Sequence, residues 1–501
     1  MQLSTLLQGV PVSKMYQTLY GKMVVTHEIE VAHVRYDSRK VERGDMFVAI
    51  PGNVIDGNRF LQRAIAQGAK VVVTNNNEAI DDYFCMHNGV VKIVVPDTRV
   101  ALARLSANYY KHPADRLAIV GVTGTNGKTT TAFIVKALLE ASAPAGLIGT
   151  IEYAIGNKRL PATHTTPESL ELQELFSTMV DHGCKAAVME VSSHALHQHR
   201  VEGIPFRVGV FTNLTQDHLD YHPSMDEYFA AKKILFDSLH PDATAVMNID
   251  DAWGQNLASS VMSRKITYGL DAAADIRATG IALSFQRTTF VIGYKNTSID
   301  ISAPLVGRFN VSNLLAAFSA GYAMGLSPEL MRERFSILSP VPGRFEQIQA
   351  PAGWTAVVDY AHTPDALEKA LKTIRDLLGT GRKGKILTVF GCGGNRDSGK
   401  RPLMGKIAST LSDKVIVTSD NPRHENPETI IDDIVAGIPP GCDMTRIPDR
   451  TEAIHQALSV AGKNDIVLIA GKGHEDYQII GDKKYPFSDQ RIVQEFISTH
   501  S

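Results

Sequence analysis

The chain predicts an α/β fold of three domains, because short apolar runs alternate with helix-period segments along most of its 501 residues. Two further observations divide it. Prolines break the pattern near Pro113 and again at Pro340 and Pro342, where neither a helix nor a central strand continues. Between the breaks, the segment GVTGTNGKTT at 121–130 joins an apolar run to a helical pattern, the order of a phosphate-binding loop. The expected domains are a small N-terminal α/β domain at 1–112, a central P-loop ATPase-like domain with a mostly parallel sheet at 113–340, and a C-terminal Rossmann-like domain at 341–501.

The first domain shows apolar runs at 46–50, 70–73 and 92–95 with a helical pattern at 60–67, the alternation expected of a layered sheet. A helix ending near Tyr110 is closed by Pro113. In the centre, 117–122, 186–189, 208–211 and 245–248 read as strands, and 169–180 and 226–239 as helices. A β-rich stretch at 266–301 precedes an alanine-rich helix at 310–324. In the last domain, strands at 356–359, 386–390, 415–418 and 466–469 alternate with helices.

Composition narrows the partners. Hydrophobic residues make up 44% of the chain, enough for several cores, and the formal charge of −2 favours neither nucleic acid nor an anionic membrane over a small-molecule substrate. The longest apolar stretch, 314–326, is broken by Ser319 and Gly321 and falls short of the ~18–20 residues that span a bilayer. No cationic and then apolar leader opens the sequence. Small-molecule substrates are the expected partners. Cys85, Cys184, Cys392 and Cys442 form no Cys-x-x-Cys pair, which fits a reducing compartment and argues against a zinc ribbon or disulfide framework.

The loop at 121–130 carries the most chemistry. Gly124 and Gly127 let backbone N–H groups converge on phosphate oxygens, the following helix adds its N-terminal field, Lys128 meets the β/γ-phosphates, and Thr129 is placed to hold Mg²⁺. Val122 stands where a strict Walker loop has glycine, so the loop is a variant. Glu190 and His218 each follow a strand-like run, where ligands gather in open α/β sheets. With Thr129 they form a set suited to Mg²⁺; a lone histidine is more often structural than a ligand, and the phosphate loop in the same domain is what favours the metal role. Lys232, read alone, is a solvated helix lysine, since an ammonium does not belong beside Mg²⁺.

The block at 123–131 resembles the ATP loop of the Mur ligase and folylpolyglutamate synthetase superfamily, which joins an amine to a carboxylate at the expense of ATP. Blocks at 189–194, 212–221, 307–313 (GRFNVSN), 342–346 (PGRFE), 358–365 (VDYAHTPD) and 471–475 (GKGHE) are similar to this family's motifs and stand in its order. Asp37-Ser38-Arg39 and Asp420-Asn421-Pro422-Arg423 resemble the family members that extend UDP-N-acetylmuramoyl-L-alanyl-D-glutamate with meso-diaminopimelate.

The resemblance implies a cytoplasmic bacterial ligase of peptidoglycan-precursor synthesis, monomeric, using ATP and Mg²⁺. It implies an ATP site of Gly124, Thr125, Asn126, Gly127, Lys128, Thr129 and Thr130, with Asn310, Arg344 and Asp359 holding adenine, phosphate and ribose. Asn310 also reads as a helix N-cap. It implies that Lys232 carries a carbamate, which reverses its charge and lets it join Thr129, Glu190 and His218 around metal. Ser38 and the loop at Asn53 would meet the uridine nucleotide, and His164, Thr165, Thr166, Ser192, Gln198 and Arg200 the muramoyl-dipeptide. Arg396, Asp420, Asn421, Pro422, Arg423, Gly471 and Glu475 would hold diaminopimelate. That amino acid differs from lysine by a distal carboxylate, which a fixed guanidinium pairs better than an ammonium, and Arg423 supplies one. The alternatives are a lysine-adding version, a folylpolyglutamate synthetase-like ligase, and a nucleotide-regulated binding module; intact Lys128, Glu190, His218 and Lys232 argue against the last.

Overall fold

A computed structural model describes residues 1–16, 18–19, 22–23, 28–52, 55–271, 273–379 and 384–500. The chain packs as two compact units, one of Met1–Gly121, Ala143–Arg207 and Ser238–His240, the other of Val122–Ser142, Val208–Asp237 and Pro241–Ser501.

In the first unit, strands Val34–Arg35, Met46–Val48, Val71–Thr74 and Val91–Val94 run parallel, and Lys14–Tyr16 joins Val91–Val94 antiparallel at the edge. The strands are valine-rich because both faces are covered. Val71, Val73, Val91 and Ile93 pack with Leu102 and Leu105 on one side, and Phe47 and Val72 with Ala64 and Ile65 on the other. Helix Thr98–Tyr109 starts at Asp97, whose carboxylate caps Arg99 and Val100. It ends before Lys111 and His112, both left-handed at φ 61° and 54°, and Pro113 then opens a 3-10 turn. Further along, Ala186–Glu190 runs parallel to Ala145–Ile148, which continues antiparallel through Glu152–Ile155 and Lys158–Pro161. Helices Ser169–Asp181 and Ser193–His197 complete this part.

In the second unit, Phe206–Phe211, Thr244–Asn248, Arg264–Gly269 and Ile276–Leu283 are successive parallel neighbours. Thr288–Tyr294 and Thr297–Ala303 then add an antiparallel meander. Helix Arg308–Ala323 is buried along most of its length, with Leu314, Leu315, Ala317 and Phe318 all inaccessible.

The C-terminal sheet orders Thr355–Asp359, Ile466–Ala470, Ile386–Phe390, Lys414–Val417 and Met444–Arg446 in parallel, with Glu346–Gln349 antiparallel at the edge. Alternate side chains enter two cores: Val357, Ile466 and Leu468 one, Ala356, Val358, Val467 and Ile469 the other. This topology sets the carboxyl ends of five strands side by side. A hairpin, Tyr477–Ile480 with Lys483–Pro486, and helix Asp489–His500 close the chain.

Candidate active site

The strand Ala118–Thr123 ends at a loop whose glycines are obligatory. Gly124 has φ +145°, and a Cβ there would stand 1.9 Å from Thr212 Oγ1; Gly127 has φ +84°, and a Cβ would stand 2.4 Å from Asn313 Oδ1. The segment 212–215 holds the loop in place. Thr125 N donates to Asn213 O at 2.8 Å, Asn126 N to Asn213 Oδ1 at 2.9 Å, and Thr212 Oγ1 to Asn126 O at 2.6 Å. Lys128, the first residue of helix Lys128–Leu139, folds back so that Nζ donates to Gly124 O at 3.0 Å and Thr125 O at 2.8 Å. Thr130 is buried in the same first turn.

Thr129 Oγ1 accepts from Arg344 Nη2 at 2.9 Å, and the Arg344 guanidinium lies over the Tyr360 ring at 4.5 Å. Arg344 Nε is buried with no partner among the described residues, which leaves a donor for an incoming anion. Asp359, at the end of its strand, accepts from Phe345 N at 2.6 Å. Burial raises its pKa, and the Arg344 charge opposes that rise. Asn310 corrects one expectation: Gly307 is the N-cap of its helix, at φ 108°. Asn310 sits inside the first turn, with Nδ2 donating to Val306 O at 2.9 Å and Oδ1 accepting from Asn313 Nδ2 at 3.1 Å.

Lys232 also corrects its residue-by-residue reading. It is not solvated: it is 2% exposed on helix Met225–Asp237, over the Tyr228 ring at 4.4 Å. Its Nζ donates to Gly124 O at 2.9 Å, the carbonyl that Lys128 also uses. Burial, and then the Lys128 charge, hold its amine well below the ordinary lysine range. His218 takes the left-handed φ 56°, with Nε2 3.4 Å from Asp217 Oδ2. Burial works against the Asp217 charge, but the His362 hydrogen bond and the charges of His218, His362 and Lys400 outweigh it and keep the carboxyl well below its usual range. Among the described residues, no group of three or more His, Cys, Asp and Glu is arranged to hold a metal. The expected donor set has only Glu190 and His218 of those types.

The first unit builds its own polar cluster. Glu190 accepts from Thr150 N at 2.8 Å and Thr150 Oγ1 at 3.0 Å, and Gly149 leaves room for it, since a Cβ there would be 2.5 Å from Glu190 Oε1. Thr165 Oγ1 lies 3.1 Å from Thr150 Oγ1, and Thr166 Oγ1 donates to Glu190 O at 2.7 Å. Ser192 caps helix Ser193–His197, and its backbone N–H donates to Thr166 Oγ1 at 3.1 Å. Arg200 donates to Thr166 O at 2.9 Å and Gln198 Oε1 at 2.7 Å, so these two residues are clamped to the threonine pair. Tyr153 OH donates to the carbonyl of His164 at 2.7 Å. Ser38 is buried in a 3-10 turn capped by Asp37, and Asn53 lies outside the described residues.

At the C-terminal sheet, the residues expected to hold the amino acid follow three adjacent strands, Ile386–Phe390, Lys414–Val417 and Ile466–Ala470. Arg423 follows Pro422 and is left-handed at φ 52°, stapled to the hairpin by Arg423 N to Ile479 O at 3.1 Å and Gly481 N to Arg423 O at 2.7 Å. Its Nη1 donates to Gly394 O at 2.9 Å. Burial and then the neighbouring Arg396 charge lower its pKa, against the opposing charges of Asp420 and Glu475. Gly471 is required because a Cβ would stand 2.6 Å from Asp420 Oδ2. Asn421 Nδ2 donates to Glu475 Oε2 at 2.9 Å. Arg396 Nη1 stands 3.9 Å from Asp220 Oδ2.

Comparison with known proteins gives the family. Three family models match: the Mur ligase family catalytic domain at 30–110, the Mur ligase middle domain at 122–321, and the Mur ligase glutamate ligase domain at 343–473. A UDP-N-acetylmuramoyl-L-alanyl-D-glutamate–2,6-diaminopimelate ligase of Clostridium tetani is 42% identical over 485 residues, 96% of this chain and 97% of its own. The chain belongs to the Mur ligase family. A ligase of the same name from Gloeobacter violaceus is 46% identical over 475 residues, 94% of each chain. A solved structure of a ligase of that name is 34% identical with TM-score 0.66, covering 97% of this chain and 99% of that one. A MurF from Acinetobacter baumannii, 19% identical with TM-score 0.67 over 99% of this chain and 98% of its own, shares the fold.

In this Mur ligase, three residues at the site had no sequence signal of their own. Thr150 anchors Glu190 from a hairpin that short, glycine-broken runs concealed. Tyr228 lies against Lys232 four residues on, a helical neighbour visible only once that helix face is known to be inward. Lys472 is wholly buried beside Glu475, although a lysine between two glycines reads as a surface turn.

Proposed function

We propose that this Mur ligase is an ATP-dependent amide ligase that adds meso-diaminopimelate to UDP-N-acetylmuramoyl-L-alanyl-D-glutamate in cytoplasmic peptidoglycan-precursor synthesis. One observation carries the reading: Arg423, in the Asp-Asn-Pro-Arg segment, stands half-buried at the strand ends, in a chain 42% and 46% identical to ligases of that name over almost its whole length. The proposed domains are 1–112 for the uridine-nucleotide substrate, 113–340 for ATP and 341–501 for the amino acid, in a monomer whose partners are small molecules. No helix among the described residues is long and apolar enough to cross a membrane.

The loop cradle fits a nucleotide phosphate chain. Gly124 and Gly127 let Thr212 Oγ1 and Asn313 Oδ1 pack against the loop backbone and hold its curve, and Arg344 carries a buried orphan donor. Gly124, Thr125, Asn126, Gly127, Lys128, Thr129 and Thr130 would bind ATP, with Asn310, Arg344 and Asp359 for adenine, phosphate and ribose. Thr129, Glu190, His218 and Lys232 would hold magnesium, which, when bound, lends positive charge to phosphoryl oxygens. Lys232 joins this set as a carbamate. Two ammonium groups, Lys128 and Lys232, bound to the one carbonyl of Gly124 at 3.0 and 2.9 Å repel each other in a dry site. A neutral amine adds carbon dioxide and releases one of its protons to solvent, and the resulting carbamate anion turns that repulsion into attraction.

A carboxylate is a poor acyl donor, so the γ-phosphoryl group is transferred to the D-glutamyl γ-carboxylate, releasing ADP and leaving an acyl phosphate. Lys128 and the loop N–H groups stabilise the charge spread over the transferring group. The amine of diaminopimelate attacks the acyl carbon, loses a proton, and phosphate departs with the carboxylate oxygen. Ser38, Asn53, His164, Thr165, Thr166, Ser192, Gln198 and Arg200 would hold the muramoyl-dipeptide nucleotide. Arg396, Asp420, Asn421, Pro422, Arg423, Gly471 and Glu475 would hold diaminopimelate, with Arg423 on the distal carboxylate. The test is phosphate release from ATP. It should require the muramoyl-dipeptide nucleotide and meso-diaminopimelate together, and equal release with a pteroyl substrate and glutamate would overturn the reading.

A further inference from the structure

Lysine is almost never fully buried unless paired, and Lys472 is 0% exposed. Its Nζ donates to Asn421 Oδ1 at 3.1 Å and Glu475 Oε2 at 3.0 Å, with the Tyr477 and Phe487 rings at 5.8 and 5.9 Å. Asn421 Oδ1 also accepts from Ile479 N at 2.9 Å. Two donors on that oxygen fix the amide orientation, so Nδ2 points to Glu475 Oε2 at 2.9 Å. Glu475 Oε2 therefore meets two donors, while Oε1 takes no hydrogen bond among the described residues. The ammonium thus ties together two segments far apart in sequence, the one ending in Arg423 and the one ending in Glu475.

A buried ion pair is weak evidence for stability, because an apolar pair of similar volume does as well. Here both acceptors are residues assigned to the amino acid, so the pair has a use that packing does not require. We propose that Lys472 is a positioning residue of the amino-acid site: its clamp on Asn421 and Glu475 sets the Glu475 oxygen and the Arg423 segment in the geometry that binds diaminopimelate. This rests on the proposed function. Without the ammonium, Asn421 Oδ1 keeps only the Ile479 N–H and Glu475 Oε2 keeps only the Asn421 amide, so the carboxylate and the segment ending in Arg423 lose the charged group they share.

The experiment measures steady-state phosphate release by the full chain with Lys472→Met, Glu475→Gln and the double variant. Lys472→Met should raise the KM for meso-diaminopimelate by about tenfold or more, since a charge-assisted buried contact is lost. The KM values for ATP and the muramoyl-dipeptide nucleotide should stay within about twofold, a split that general destabilisation would not produce. Because Lys472 and the Asn421 amide it orients both end on Glu475 Oε2, the double variant should match Glu475→Gln alone. A folded Lys472→Met with an unchanged diaminopimelate KM overturns the inference, and so do effects that multiply in the double variant. If Lys472→Met does not fold, the double variant, which removes both charges, is compared with Glu475→Gln: equal KM values support the clamp and a further rise overturns it. A parent protein without diaminopimelate-dependent phosphate release overturns the proposed function and this inference together, whereas a parent with it isolates the inference.

Discussion

Gly124 O receives two lysines, Lys128 at 3.0 Å and Lys232 at 2.9 Å, and this crowding makes Lys232 the most informative single side chain. A carbamate there predicts that Lys232→Ala is nearly inactive and regains part of its turnover with added formate or acetate, which would occupy the vacated space; activity that does not respond to small carboxylates argues for a purely structural lysine. Arg423 makes the second residue-scale prediction. Losing one partner of a partly dry, charge-assisted pair costs roughly 2–5 kcal/mol. Arg423→Ala should therefore raise the diaminopimelate KM steeply, leave the ATP KM nearly unchanged, and narrow the preference over lysine, as steady-state kinetics with both amino acids would show. Equal weakening for the two would remove Arg423 as the selector.

Among the elements, the last helix is held by a buried pair rather than by apolar packing alone. Arg450 and Asp489 are both 0% exposed and paired at 2.8 Å, and Arg450 Nη2 also donates to Ala470 O at 3.0 Å, at the end of the strand before Gly471. Breaking such a pair strands a buried charge, so Arg450→Met should destabilise the protein by about 3–5 kcal/mol in urea unfolding; a change under about 1 kcal/mol would show the helix anchored elsewhere. The buried parallel strands were legible because, covered on both faces, they read as continuous apolar runs: 386–390 coincides with Ile386–Phe390, and 466–469 falls one residue short of Ile466–Ala470. The edge strands Lys14–Tyr16, Glu346–Gln349 and Met444–Arg446 were not, because three or four half-exposed residues carry no period. The meander from Ala145 to Pro161 escaped for a different reason: its first two strands are largely buried, but Gly149 and Gly156 break its runs into pieces of four residues.

For the whole molecule, the α/β class followed from alternation alone, while the site was legible only as an ordered set of motifs. Gly124 and Gly127 are intelligible from first principles, since loop geometry demands them. Lys232 is not: only the folded helix shows that it is buried, and a solvated lysine has the same sequence signature. Lys472 and Thr150 are further cases, because their partners come from distant strands that no local pattern connects. The account as a whole claims one amide bond made through an activated D-glutamyl carboxylate. The most direct test supplies the muramoyl-dipeptide nucleotide with both γ-carboxylate oxygens labelled with oxygen-18, together with ATP and meso-diaminopimelate, and weighs the products by mass spectrometry. The account predicts a nucleotide heavier by diaminopimelate less one labelled water equivalent, and one labelled oxygen in each phosphate released; unlabelled phosphate, or no diaminopimelate adduct, would contradict it.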